Sequence, residues 1–271
     1  MTESAPHSPL EACDITVSYS GRHVVRELSF RVPAGCFTAM LGPNGCGKST
    51  LLRALAGLHP PETGRVLLDG HPLGRLSRRQ LARRLSMLPQ APRAPEDITV
   101  RDLVEQGRYP HRALFDRWSK ADEDACGEAL ALTGLSDLST RPLAALSGGQ
   151  RQRAWIAMTL AQSADILLLD EPTTYLDLAH QLELLELVRL LVRERGKTVL
   201  AVLHDVNQAT QFADMLVMLK EGRILHMGRA HDVMSAATMR EVFSVEGLVT
   251  THPLDGSPLF LPAALRHARP D

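Results

Sequence analysis

Eight consecutive residues, Gly42-Pro43-Asn44-Gly45-Cys46-Gly47-Lys48-Ser49, have the types and spacing to hold a phosphate. The glycines let the backbone turn tightly and aim successive N–H groups inward, which makes an anion-binding nest. Lys48 supplies positive charge for β- and γ-phosphates, and the Ser49 hydroxyl is a hard oxygen ligand for Mg²⁺. Downstream, the apolar run Ile166-Leu167-Leu168-Leu169 ends in two acids, Asp170 and Glu171. Asp170 suits a ligand for Mg²⁺, and Glu171 suits a general base that orients and polarises an attacking water. An ordinary strand with a solvated acidic turn is the competing reading, and the phosphate loop upstream weighs against it. His204-Asp205 follows a third apolar run, Thr198 to Leu203. A histidine there is more often a surface or capping residue, and Asp205 reads as the N-cap of a following helix.

The elements that must position these groups are legible nearby. Phe37-Thr38-Ala39-Met40-Leu41 reads as a buried strand feeding the glycine loop. Leu51, Leu52, Leu55 and Leu58 recur at helical spacing, so Ser49 and Thr50 fall at a helix N-terminus, where orphan N–H groups and the helix dipole favour phosphate. A fully buried parallel strand over 166–169 delivers the two acids to the carboxyl edge of a sheet, where α/β ligand sites form. Ser86-Met87-Leu88-Pro89-Gln90 reads as a strand running into a loop. Leu146-Ser147-Gly148-Gly149-Gln150 precedes a helical stretch through Trp155, Ile156, Met158 and Leu160. Its serine offers a hydroxyl, its glycines allow close backbone approach to a phosphate, and the loop ends at a positive dipole end.

Composition removes several function classes. The 271 residues, 44% hydrophobic, suffice for a large core. No apolar run approaches the roughly 20 residues needed to span a bilayer, and Met1 to His7 lacks the basic and apolar regions of a signal peptide. The expectation is a cytoplasmic protein. A net charge of −1 gives no footprint for nucleic acid. Arg75, Arg78, Arg79, Arg83 and Arg84 form one local basic cluster, read as a helix with a solvated basic face. Cys13, Cys36, Cys46 and Cys126 show no paired metal spacing and read as reduced thiols. Cys46 stands apart, because loop N–H groups and Lys48 are expected to lower its pKa and make it reactive.

The phosphate loop followed by Leu146-Ser147-Gly148-Gly149-Gln150 resembles the ATP-binding cassette (ABC) family, in which this pentapeptide of one subunit closes over ATP held by another. The resemblance covers about residues 12 to 245. It implies ATP and Mg²⁺ as cofactors, Gly42 to Thr50 as the phosphate site, and Ser49, Asp170 and Gln90 as metal ligands. It implies Lys48, Glu171, Gln90 (the Q-loop) and the switch histidine His204 as catalytic groups. Tyr19, in Ile15-Thr16-Val17-Ser18-Tyr19, matches the aromatic that stacks on adenine; an edge-strand tyrosine is the alternative. Ser147, Gly148, Gly149 and Gln150 would reach the nucleotide of a second copy, giving a head-to-tail homodimer with twofold symmetry. Asp177 matches the D-loop that crosses that interface. Tyr175 departs from the family pattern, which places a small residue there, and the contacts around it are therefore left open.

The implied fold is α/β: a P-loop NTPase with a mostly parallel sheet flanked by helices, an antiparallel β subsheet from Ile15 to Val32, and an inserted helical subdomain. The expected single domain has its core in residues 1–90 and 164–245, the helical subdomain in 91–163, and a tail in 246–271 without identifiable chemistry. Gly107-Arg108-Tyr109-Pro110-His111, the Leu114-Phe115 pair, Thr173 to Gln181 and Leu203 to Ala209 resemble the iron-chelate import branch. That implies a peripheral subunit on the cytoplasmic face of the cell membrane, docked on separate permease subunits and served by an external substrate-binding protein. The expected cargo is a ferric siderophore, with haem or vitamin B12 as alternatives. Non-transport ABC ATPases of DNA repair and translation fit less well, since no long heptad stretch and only one phosphate loop are present. A metabolic P-loop kinase would need neither the 146–150 loop nor His204.

Overall fold

The computed structural model describes residues 8–19, 21–95, 97–112 and 116–265. The expectations placed on Met1 to His7 and on Leu114-Phe115 lie outside them. The chain divides into two compact units, residues 1–72 with 200–271 and residues 73–199.

The first unit opens with strands β1 (Leu10–Tyr19) and β2 (Arg22–Val32), paired antiparallel from Leu10↔Val32 to Tyr19↔Arg22. Leu10, Ala12, Ile15 and Val17 of β1 are buried. Next come β3 (Phe37–Leu41), buried at every position, and helix α1 (Lys48–Leu55), which buries Leu51, Leu52 and Leu55. Strand β4 (Thr63–Leu68) pairs antiparallel with β1, and β5 (His71–Pro72) with β4, completing a sheet of order β2-β1-β4-β5. This is the antiparallel subsheet expected from the Ile15 to Val32 stretch.

The second unit holds α2 (Arg78–Arg84), β6 (Leu85–Leu88), α3 (Val100–Gln106), α4 (Lys120–Leu132), α5 (Gly148–Ala161), β7 (Ile166–Asp170) and α6 (Leu178–Arg195). Strands β6 and β7 are parallel, in register from Leu85↔Ile166 to Leu88↔Leu169. Helices α2 to α5 start at Ser77, Thr99, Ser119 and Ser147, each in a reciprocal capping box with the residue three positions on. Between β6 and β7 the described residues form no further strand element, only an isolated Thr99↔Pro142 bridge, because helical periodicity governs the stretch.

Strand β8 (Thr198–Val202) begins in the second unit, where Thr198 N–H donates to the Asp165 carbonyl at 3.0 Å. It ends in the first, where Leu203 N–H donates to the Met40 carbonyl of β3 at 3.2 Å. The first unit continues with α7 (Val206–Phe212), β9 (Met215–Lys220) parallel to β3, β10 (Arg223–Gly228) antiparallel to β9, α8 (Ala230–Val233) and α9 (Ala236–Phe243). Strands β3, β7 and β8 are apolar and buried from end to end, as parallel strands covered on both faces must be.

The last segment has structure where the sequence reading placed only a tail without identifiable chemistry. Residues 246–265, read as a featureless tail, form most of an antiparallel hairpin of β11 (Val245–Thr251) and β12 (Pro258–Leu265). Pro258 and Pro262 weakened the strand signal, yet proline is admissible on a strand whose outer edge is not laddered.

Candidate functional site

In the first unit the phosphate loop leaves the end of β3 and enters α1. Gly42 has φ 153°, and a Cβ there would drive into the Leu219 carbonyl of β9 and close on Cys46 Sγ. Gly47, the N-cap of α1, has φ 110°, and a Cβ there would stand 2.9 Å from the Val24 carbonyl. Only glycine fits either place without moving backbone. The Lys48 ammonium is buried and donates to the carbonyls of Gly42 at 2.8 Å and Pro43 at 3.0 Å, so its charge is tied across the mouth of the loop. Ser49 and Thr50 occupy the first turn of α1. The cradle and its donors fit a polyphosphate.

Cys46 does not behave as the sequence suggested. Burial pushes its thiol upward, and this outweighs the lowering by Lys48, 4.0 Å away, and by the loop N–H groups. A buried thiol held in its protonated form is a weak nucleophile.

Two more candidates flank this loop within the same unit. His204 follows β8, and because Leu203 is bonded to Met40, it leaves the sheet at the edge from which Gly42 departs. Asp205 next to it accepts from Gln208 N–H at 2.9 Å and caps α7, as expected of it. Tyr19, at the end of β1, is 60% exposed, with its ring centroid 6.3 Å from that of His59. His59 is set there by a 2.9 Å hydrogen bond between its Nε2 and the Ser18 carbonyl.

The second unit brings three further candidates to one sheet edge. The pairing Leu88↔Leu169 means that Gln90 and the acids Asp170 and Glu171 leave adjacent strands at the same end. Asp170 is fully buried on β7, an environment that calls for a cation. Glu171 takes φ 55°, uncommon for a residue with a Cβ and costing of order 1–3 kcal/mol, a signature of functional turns. Its side chain accepts from Thr174 Oγ1 at 3.4 Å, and its carbonyl from Thr174 N–H at 3.2 Å.

The turn after Glu171 contains a second left-handed residue, Tyr175 at φ 68°, whose ring is 79% exposed. The position where this chain departs from the family pattern is therefore a backbone outlier as well. This turn packs on the pentapeptide: a Cβ on Gly148 would stand 3.9 Å from Tyr175 Cβ, and one on Gly149 would stand 3.3 Å from Leu176 Cδ2. Ser147 caps α5, accepting from Gln150 N–H at 3.2 Å, while Gln150 Oε1 accepts from Ser147 N–H at 3.1 Å. Asp177 caps α6 through His180, whose backbone N–H and then ring hold the carboxyl below its ordinary value.

Sequence reasoning missed the residues that fix these pieces. Arg108 is buried, with Nε 2.9 Å from Asp122 Oδ1 and Nη1 donating to the Ala161 carbonyl and Ser163 Oγ. Arg79 and Arg83 each donate through Nε to the Pro110 carbonyl at 2.8 Å, and Arg84 pairs with Asp165. The cluster read as a solvated basic face thus spends three guanidinium groups on structure. Gln162 bonds the Leu85 carbonyl and accepts from Ser86 Oγ, which seats β6.

Residues 25–174 match the family model described as ABC transporter, so the chain belongs to the ABC transporter family and is an ATP-hydrolysing cassette of that family. The ferric enterobactin transport ATP-binding protein FepC of Escherichia coli is 46% identical over 97% of this chain and 96% of its own length. The petrobactin import ATP-binding protein FpuD of Bacillus anthracis is 47% identical, covering 93% of each chain. Among solved structures, a metal-chelate-type ABC transporter in an inward-facing conformation superposes with a TM-score of 0.81 at 28% identity, covering 95% of this chain and 98% of that one. A dimeric bacterial ABC transporter cassette gives a TM-score of 0.73 at 27% identity, covering 81% of this chain and 98% of that one. The fold is thus the P-loop ABC cassette expected from the motifs, with its antiparallel subsheet.

Proposed function

We infer that this chain is the ATP-binding and ATP-hydrolysing subunit of an ABC importer that energises uptake of a ferric siderophore through a separate membrane permease. The observation that carries the cargo is similarity over 90–97% of the chain to several siderophore import ATPases, five of them at 43–48% identity. A second reading, vitamin B12, draws on a cobalamin import ATP-binding protein of Halobacterium salinarum, 37% identical over 92% of this chain and 62% of its own length.

In this reading the nest of Gly42 to Ser49 and Thr50 binds the ATP phosphates, and Lys48 neutralises their β/γ charge. Tyr19 stacks on the adenine. Ser49, Asp170 and Gln90 would supply hard oxygen ligands to a Mg²⁺ ion. When bound, it neutralises charge developing on the phosphoryl oxygens. Glu171 holds the attacking water and draws its proton, and His204 steadies that water and the γ-phosphate. Ser147 to Gln150 of a second copy closes the nucleotide from the other side, with Asp177 at the twofold interface.

No helix among the described residues is long and apolar enough to cross a membrane, so the permease is proposed as a separate partner at the cytoplasmic face. The second unit offers a groove of about 470 Å³ bounded by Pro92, Pro95, Leu143, Ala144 and Trp155, close after Gln90, as a seat for a cytoplasmic helix of that permease. Deleting the gene and following radiolabelled ferric siderophore, haem and cobalamin under iron starvation tests the cargo. Loss of ferric-siderophore uptake alone is expected. Unchanged siderophore uptake, with no redundant ATPase expressed, would overturn the iron reading and leave the ATPase intact.

A further inference from the structure

Helix α7 starts two residues after His204 and is held at both ends by β3. Leu203 N–H bonds the Met40 carbonyl, and beyond the helix Asp214 N–H donates to the Phe37 carbonyl at 2.8 Å. Asp214 Oδ2 also accepts from Phe37 N–H at 2.8 Å. These anchors fix where the helix lies. Ala209 and Phe212 bury one face of the helix, and any roll about its axis would swing the cap residue Asp205 and the adjoining His204 together.

A further set of contacts, from the C-terminal hairpin, opposes that roll along a second face of the helix. Asn207 Nδ2 donates to the Phe260 carbonyl at 3.1 Å, and Asn207 Oδ1 accepts from Phe260 N–H at 2.8 Å. One side-chain amide thereby satisfies both backbone groups of Phe260, as a neighbouring strand would. Among side chains of this length only asparagine carries a donor and an acceptor in that geometry. Thr210 Oγ1 donates to the Pro258 carbonyl at 2.7 Å, and Gln211 Nε2 to Asp255 Oδ2 at 2.8 Å. Positions 207, 210 and 211 lie on one face of the helix, so the bonds act as a row along its side.

We propose that Asn207 is a positioning residue for ATP hydrolysis, pinning α7 to the C-terminal hairpin and so fixing the direction in which His204 is presented. The inference rests on the reading of His204 as the switch histidine. It gives the hairpin a role and explains the asparagine in the His204 to Ala209 stretch. The residue touches no nucleotide; it acts through the helix.

The test is a double-mutant cycle on the purified full-length chain, with ATP affinity and melting temperature measured alongside turnover. Asn207→Ala is expected to keep ATP affinity and lower kcat by between about tenfold and a hundredfold, the scale of a small misplacement of a catalytic group. In the His204→Ala background the same change should slow turnover no further, since the group being positioned is gone. Wild-type turnover in Asn207→Ala, or an equal slowing in both backgrounds, would overturn the proposal while the His204 reading stands. Wild-type turnover in His204→Ala would remove that reading and the proposal with it. If Asn207→Ala fails to fold, Thr210→Val, which deletes a second hairpin bond at nearly constant volume, is judged by the same outcomes.

Discussion

The Gly42 to Ser49 loop and the Leu146 to Gln150 loop both end at a helix N-terminus, yet they are finished in different ways. The first is closed on itself: Lys48 spans the carbonyls of Gly42 and Pro43, and Gly42 and Gly47 lie against Leu219 and Val24. The second turns its polar atoms back on its own helix, Ser147 and Gln150 capping each other, with the serine exposed. A loop with a built cradle binds phosphate alone. A loop with satisfied caps and an open face completes a site only when another surface arrives. On the proposed reading, this contrast is what a two-chain ATP site requires.

The largest expected effect comes from emptying the built cradle. Lys48→Ala should remove measurable turnover and weaken ATP binding, because a buried ammonium tied to two loop carbonyls is lost from the phosphate site. Titration with a fluorescent ATP analogue and a phosphate-release assay check this. Unchanged turnover would remove Lys48 from the mechanism.

The next largest effect is on stability. Arg108→Ala leaves the buried Asp122 without its counter-charge, with the Ser119 hydrogen bond remaining, and should destabilise the protein by about 3–5 kcal/mol, read from urea unfolding at neutral pH. Burial pulls the Asp122 carboxyl upward, but the Ser119 hydroxyl and Arg108 hold it down to about 2, against an ordinary 3.8. A depressed carboxyl stabilises above its unfolded value, and that contribution is lost as pH falls toward its folded value. The parent should therefore lose stability between about pH 4 and pH 2 more steeply than Arg108→Ala does. Equal slopes would show that Arg108 does not set the Asp122 carboxyl.

The smallest effect separates the two loops most finely. Ser147→Ala should cost about 1 kcal/mol of stability through the lost cap. ATP affinity of the isolated chain should stay unchanged while turnover of the dimer falls. A matching loss of affinity in the monomer would place Ser147 beside its own chain's nucleotide.

Much of this was legible in the sequence, and the exceptions share a cause. Buried runs such as Phe37 to Leu41 and Ile166 to Leu169 are locally encoded, and so are the glycine loop and the Asp205 cap. The docking of the 245–265 hairpin on α7, the Arg108–Asp122 pair and the Pro110 clamp on Arg79 and Arg83 are not, because each depends on partners well separated in sequence. The motif Gly107 to His111 could be matched to a family branch without any physical account of it. The structure shows it as a hub that seats α2, α4 and the end of α5, with His111 on the Gln162 carbonyl. For Cys46 the sign was wrong, since neighbouring charge was visible in the sequence and burial was not.

The two-chain site is tested most directly by sedimentation velocity on Glu171→Gln. An amide at that position keeps the nucleotide and its metal but cannot take the proton of water, so hydrolysis should fall by a factor on the order of 10²–10⁴ and the ATP-bound form should persist. With Mg-ATP the variant should sediment as a dimer, and without nucleotide as a monomer. A Glu171→Gln chain that binds Mg-ATP yet remains monomeric at every concentration, with or without permease, would contradict the account.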